Sequence, residues 1–260
     1  MTANRQFSLT SPGLRLDEDQ FDTPQDPPIQ AAPTMERVLA QSGPFPREAL
    51  FLGVAADGLP VLLNLRDPLP GAMLVIGDAG AGKSAFLQSI ARSLLQTHPE
   101  SEVQYGVITN DVGEWEDVEK SAHHLGVFDV NQADAGNFVL SLTSWAHSNR
   151  NAKQSILLLV DDLEAAAKMD LETLQNFRWL LLRGPARQVW PVITLDAERY
   201  GQVFVWIENF RTRVFGRIEN PLIAQALGGD NSSALDQLEA GRQFSLRENG
   251  SWLRFWLPSF

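Results

Sequence analysis

The sequence predicts an α/β domain: a mostly parallel sheet covered by helices on both faces, with β-hairpins before the first core strand and at the C-terminus. Three observations carry this. Strand-sized apolar runs alternate with segments of helical periodicity through most of the 260 residues. One of these runs, Ala72–Ile76 (AMLVI), leads straight into the glycine-rich turn GDAGAGKS, and a helix-patterned segment follows. Asp57-Gly58 and Asn249-Gly250 each separate two apolar runs, a hairpin signal because glycine takes positive φ without steric cost.

Taken in order, residues 1–46 stand apart from the rest. They hold seven of the fifteen prolines and the acidic cluster Asp17, Glu18, Asp19. Such a stretch buries too little apolar surface to offset its ordering entropy, so a flexible acidic tail is expected. Phe7, Leu9, Leu14 and Phe21 would let it dock a protein partner. Residues 47–260 read as one domain. ALFLGVA and PVLLNL form the first hairpin, and AMLVIG is the first core strand. Phe86, Ile90, Leu94 and Leu95 recur at helical spacing from about Lys83 to Gln96. Further strands are expected at 103–109, 155–160, 189–195 and 212–218. Helices are expected at 133–150, at 163–182 with a break near Met169-Asp170, and at about 220–227 and 232–239. RQFSLRE and SWLRFWLP close the chain as the second hairpin.

Composition narrows the function classes. A net charge of −11 makes the chain a poor passive binder of nucleic acid, although DNA contact inside an assembly stays open. The absence of cysteine excludes disulfides, thiolate metal sites and cysteine nucleophiles. No apolar run is long enough to span a bilayer, and the N-terminal residues lack a signal-peptide hydrophobic region, so no membrane role and a cytoplasmic location are expected. The four histidines share no metal-ligand spacing with carboxylates; adjacent His123 and His124 read as structural. Arg211, Arg213 and Arg217 alternate on an expected strand, where they would face a nucleic-acid backbone, a neighbouring subunit, or solvent.

The glycine-rich turn carries the sharpest signal. Gly77, Asp78, Ala79, Gly80, Ala81, Gly82, Lys83 and Ser84 match GxxxxGK[ST], with a strand before and a helix after, and Ala85 continues the first helical turn. The glycines let successive N–H groups point inward at anionic oxygens, and the helix adds its positive N-terminal end. Lys83 would bridge the β- and γ-phosphates, and the Ser84 hydroxyl would ligate Mg²⁺. The metal then needs an acid at the end of a buried apolar run on a neighbouring strand. Ile156–Asp162 (ILLLVDD) fits: Asp161 is placed to hold Mg²⁺, mostly through water. Asp162 either polarises the attacking water or caps the next helix. No Asn-Lys-x-Asp guanine-reading stretch occurs, so ATP is the expected nucleotide.

With these motifs placed, LFLGVAADGLPVLLNLRDPLPGAMLVIGDAGAGKSAFLQSIARSLL resembles the entry to the motor domain of FtsK/SpoIIIE/HerA-type ATPases. VQYGVITND, HHLGVFDV, ILLLVDD, RGPARQVWPVITL, TRVFGRI and LDQLEAGRQFSLRENG follow in the order of that family, so the resemblance spans roughly 48–258. In it Asp111 or Asn110 matches the aspartate that ends the second strand. The resemblance implies a RecA-like P-loop NTPase fold, ATP with Mg²⁺, and a homo-oligomeric ring that translocates DNA or polypeptide. It also implies an arginine from the neighbouring subunit at each site. Arg183 and Arg187 lie in the matching region, Arg183 being the better candidate. Family motors carry glutamine at the end of the fourth core strand to sense the γ-phosphate, whereas this strand ends Thr194-Leu195-Asp196. Thr194 could donate a hydrogen bond there, and Asp196 would repel a triphosphate. The usual catalytic glutamate is Asp162. The chain is also similar to the degenerate ATPase modules of type VII secretion, the EccC proteins. That implies an alternative: a nucleotide-binding module with little hydrolysis that regulates assembly with a protein partner.

Overall fold

The computed structural model describes residues 5–6, 33–149, 154–229, 234–248 and 251–260. Strand β1 (Arg5–Gln6) is followed by helix α1 (Met35–Ser42), then β2 (Ala49–Ala55), β3 (Pro60–Asn64) and β4 (Met73–Gly77). Helix α2 (Lys83–Thr97) leads to β5 (Val103–Thr109), the short α3 (Glu116–Glu119), β6 (His124–Asp129) and α4 (Ala133–Ser148). Next come β7 (Ser155–Asp161), α5 (Leu163–Ala166), α6 (Leu171–Arg183) and β8 (Val189–Asp196). Then α7 (Phe204–Ile207), β9 (Thr212–Phe215), α8 (Pro221–Gly228), β10 (Gln243–Glu248) and β11 (Ser251–Trp256) complete the chain.

All strands join one sheet in the order β1-β3-β2-β11-β10-β9-β4-β8-β7-β5-β6. The half from β9 to β6 is parallel, and β10, β11, β2 and β3 are joined antiparallel. Both expected hairpins therefore lie side by side and extend the parallel core. The residues linking β10 to β11, where Asn249-Gly250 falls, lie outside the described residues.

Alternation along each parallel strand feeds two cores, as a sheet covered on both faces requires. On β4, Leu74 and Ile76 pack with α4, α6 and α8 through Leu142, Phe177 and Leu227. Met73 and Val75 pack on the other face with Phe86, Ile90 and Leu94 of α2. Helix α1 lies within the segment expected to be a flexible tail. Thr34 caps it, its buried Met35 and Val38 pack against Phe51 and Leu62, and Met35 N donates to Ser259 O. Phe7, Leu9, Leu14 and Phe21 lie outside the described residues.

The helical stretch after β7 breaks near Met169-Asp170 as expected, because Asp170 caps α6 through Thr173 N and ends the continuity with α5. Other elements differ from expectation for local reasons. Strand β9 stops at Phe215, where the chain turns so that Arg217 O accepts from Asp78 N. Within 232–239 the described residues make a single tight turn, Leu235–Gln237, in place of a helix. The acidic strand β7 is not the neighbour of β4: β8 runs between them.

Candidate functional site

The carboxyl ends of β4, β8 and β7 lie side by side, and the turn after β4 rises over them. Residues on either side hold this turn in place. Asp78 N donates to Arg217 O at 2.9 Å, and Asp78 Oδ2 accepts from Glu219 N at 2.7 Å. On the far side Gly241 N donates to Ala81 O at 3.1 Å. Gly82 has φ of 90°, and a Cβ there would lie 2.6 Å from Gly241 Cα, so only glycine fits. Ala79, Gly80 and Ala85 are exposed, and Ser84 is half-buried in the first turn of α2. No side chain caps α2, so its first N–H groups face the loop's concavity.

Lys83 lies inside this loop. Its ammonium donates to Gly77 O at 2.9 Å and Asp78 O at 2.8 Å, and stands 4.0 Å from Asp196 Oδ2. Burial pulls its pKa below the ordinary lysine value, and Asp196, Asp161 and Asp78 oppose that shift in decreasing order.

Across β8 lies the acidic side. Thr194 is fully buried, and its hydroxyl donates to Asp161 Oδ1 at 2.8 Å. That bond links the strand between loop and acid to the acid itself. Asp162 caps α5: its Oδ1 accepts from Glu164 N at 2.9 Å. Its Oδ2 accepts from Asn110 Nδ2 at 3.1 Å, which brings Asn110, and not Asp111, into the site. Asp111 instead caps the turn that follows β5, through Gly113 N. Asp162 also has φ of 110° with a Cβ, a backbone state that costs roughly 1–3 kcal/mol and gathers at functional sites.

The sequence reading missed Glu164. Its side chain is 4% exposed, 3.9 Å from Arg199 Nε, and its Oε1 has no hydrogen-bond partner. Burial, then the neighbouring Asp162, pushes its carboxyl up to about 8. One signal was present: an acid three residues beyond Asp161, on the first turn of a helix that folds back over the strand ends.

Other candidates fall elsewhere. Arg183 is exposed at the end of α6, and Arg187 lies in the turn that follows. Both precede β8, so they sit at the amino end of the sheet, away from this chain's own loop. Arg213 does not present a free charge, because its guanidinium donates to Leu227 O and Ile207 O. Arg217 pairs with Glu219 at 3.1 Å. His98 and His123 are buried, with Nε2 atoms near the Arg47 and His98 carbonyls, so both are structural. Among the described residues no cluster of three or more His, Asp or Glu could hold a metal alone.

This geometry has relatives. The family model described as the FtsK/SpoIIIE family matches residues 46–159. The cytoplasmic domain of the type VII secretion ATPase EccC from Thermomonospora curvata superposes with a TM-score of 0.64 at 17% identity, covering 85% of this chain and 27% of that one. EssC (ATPases 2 and 3) from Geobacillus thermodenitrificans gives 0.66 at 12% identity, covering 84% and 48%. This chain has the α/β fold of those secretion ATPase domains. The pCW3 conjugation coupling protein TcpA, in its monomer form with ATPγS, shares that fold with a TM-score of 0.64 at 15% identity, covering 88% of this chain and 70% of that one. The chain spans about a quarter to a half of the length of the EccC and EssC proteins it matches. No curated protein matches it. Among the described residues no helix is long and apolar enough to cross a membrane.

Proposed function

We propose that this chain binds Mg-ATP in the loop Gly77–Ser84, hydrolyses it, and acts as an oligomeric ring that moves DNA or a polypeptide. One observation carries the reading: Lys83 lies inside a glycine loop at a helix N-terminus, and that loop follows β4, the neighbour of the strand whose Thr194 hydroxyl engages Asp161. Lys83 exchanges its two carbonyl partners for β- and γ-phosphate oxygens, and the loop N–H groups take the rest of the anion. The Ser84 hydroxyl and the free oxygen of Asp161 form a hard oxygen pair that suits Mg²⁺. Two protein ligands are enough for an ion that keeps waters and shares phosphate oxygens. The bound ion would neutralise charge on the phosphates. Asp162 orients the attacking water, and Arg183 of a neighbouring copy stabilises charge on the transferring group. The tail docks a protein partner, and the cytoplasm supplies the nucleotide.

A second reading has its own observation. Both oxygens of Asp162 already accept hydrogen bonds, from Glu164 N and Asn110 Nδ2. A carboxylate so engaged is a weak base, which favours a nucleotide-gated module with little turnover that regulates assembly. Steady-state ATP hydrolysis across a range of protein concentrations, with and without double-stranded DNA, separates the two. Turnover that climbs with concentration and with DNA supports the ring motor. Binding without turnover under every condition supports the module.

A further inference from the structure

Asp196 ends β8, the strand that runs between β4 and β7. Its register partner across the parallel pair is Gly77, the first residue of the phosphate loop. One oxygen, Oδ1, accepts from Glu198 N at 3.0 Å and fixes the carboxylate. The other, Oδ2, faces Lys83 Nζ at 4.0 Å, and the side chain is only 23% exposed. On the reading above a second phosphate would rest on the loop N–H groups and Lys83, and a third would meet Lys83 on its side toward the end of β8 and Asp161. That is where Asp196 already places a negative charge, and like charges a few ångströms apart in a partly buried site repel strongly.

We propose that Asp196 is a specificity-determining residue that makes this site favour a nucleoside diphosphate: its carboxylate takes the place beside Lys83 that a third phosphate would occupy. The inference rests on the nucleotide-binding reading above and narrows it. ADP leaves the Lys83–Asp196 pair intact. ATP must force the two apart or bring enough cation to screen them.

The test is calorimetric titration of the full chain with Mg-ADP and with the Mg complex of a non-hydrolysable β,γ-methylene analogue of ATP. In the wild type, ADP is expected to bind at least as tightly as the analogue; an analogue bound more than about tenfold tighter overturns the proposal without any variant. Asp196→Asn keeps the cap on Glu198 N and removes the charge. It is expected to tighten the analogue about tenfold while ADP changes less than about threefold. Asp196→Ser, a second capping residue, should shift the ratio the same way. Equal changes for both nucleotides overturn the proposal. A weaker analogue does so too, because Asp196 would then be helping to hold the cation. Should neither nucleotide bind wild type, the phosphate-loop reading falls together with this one. Should both bind with a ratio that Asp196→Asn leaves unmoved, only the role of Asp196 falls.

Discussion

On one side of the site the ligand-facing groups are main chain; on the other they are carboxylates. The loop Gly77–Ser84 is held by bonds to main-chain groups of Arg217, Glu219 and Gly241, and its single cation, Lys83, rests on two carbonyls that a ligand can replace. The acidic side holds Asp161, Asp162, Glu164 and Asp196; three of them accept hydrogen bonds within the protein, and Glu164 has Arg199 at 3.9 Å. A wall of backbone amides is complete without its ligand and costs little to keep. A wall of carboxylates repels itself and is held by caps, a threonine, an asparagine and the cations Arg199 and Lys83. On the proposed function, affinity would reside in the loop, and turnover and selectivity in the acids.

Mutation can break this division of labour. The largest effect is expected at Lys83. Lys83→Ala removes the loop's only cation and should weaken ATP binding by about 100-fold or more in calorimetry, because losing one partner of a buried charged pair costs several kcal/mol. Unchanged affinity would refute the phosphate-loop assignment. Asp162→Asn keeps the cap and removes the charge. It should lower kcat about tenfold or more while binding stays within about threefold, the signature of a group acting only in the transition state. A kcat that stays put would leave Asp162 a helix cap alone. Gly82→Ala places a methyl against Gly241 backbone at positive φ. A cost of about 2 kcal/mol is expected, seen as a lower midpoint in urea, along with loss of nucleotide binding.

The smallest effect belongs to the acidic wall and sharpens the comparison through pH. The Glu164 carboxyl is raised to about 8 in the fold. A raised acid binds more protons folded than unfolded between its usual value and about 8. Its contribution to stability is therefore intact at pH 4 and is lost as pH rises through 8. Glu164→Gln, a neutral isostere, should leave the melting temperature at pH 5 nearly unchanged and raise it by a few degrees at pH 9. Equal shifts at both pH values would show that the buried charge is not the cause.

The loop was readable from the sequence because its chemistry is local: eight consecutive residues, each with a backbone or charge requirement. Both hairpins were readable for the same reason, at least up to their turns. The acidic wall was not, because it is assembled from the ends of β5, β7 and β8 and the start of α5. Nothing near Asp162 in sequence points to Asn110, fifty-two residues away, and nothing in ILLLVDD shows that β8 separates it from β4. Glu164 looked like an ordinary acid in a helix's first turn until α5 folded over the sheet and buried it. Helix α1 was hidden differently. Met35, Val38 and Leu39 carry helical spacing, but proline-rich surroundings outweighed three apolar residues, and only packing on β2 and β3 decides the matter.

The position of β11 has a consequence for how the molecule is built. Among the described residues the β2–β3 hairpin is hydrogen-bonded toward the parallel core only through β11, β1 lying on its outer edge, and α1 is tied to Ser259. The β2–β3 hairpin thus waits for β11, about two hundred residues later in the chain, before its edge is covered. Until residues 251–256 emerge, β2 offers an open row of amides and carbonyls, an invitation to pair with the wrong strand. A nascent chain of this kind gains from a chaperone that covers β2 until β11 has been made.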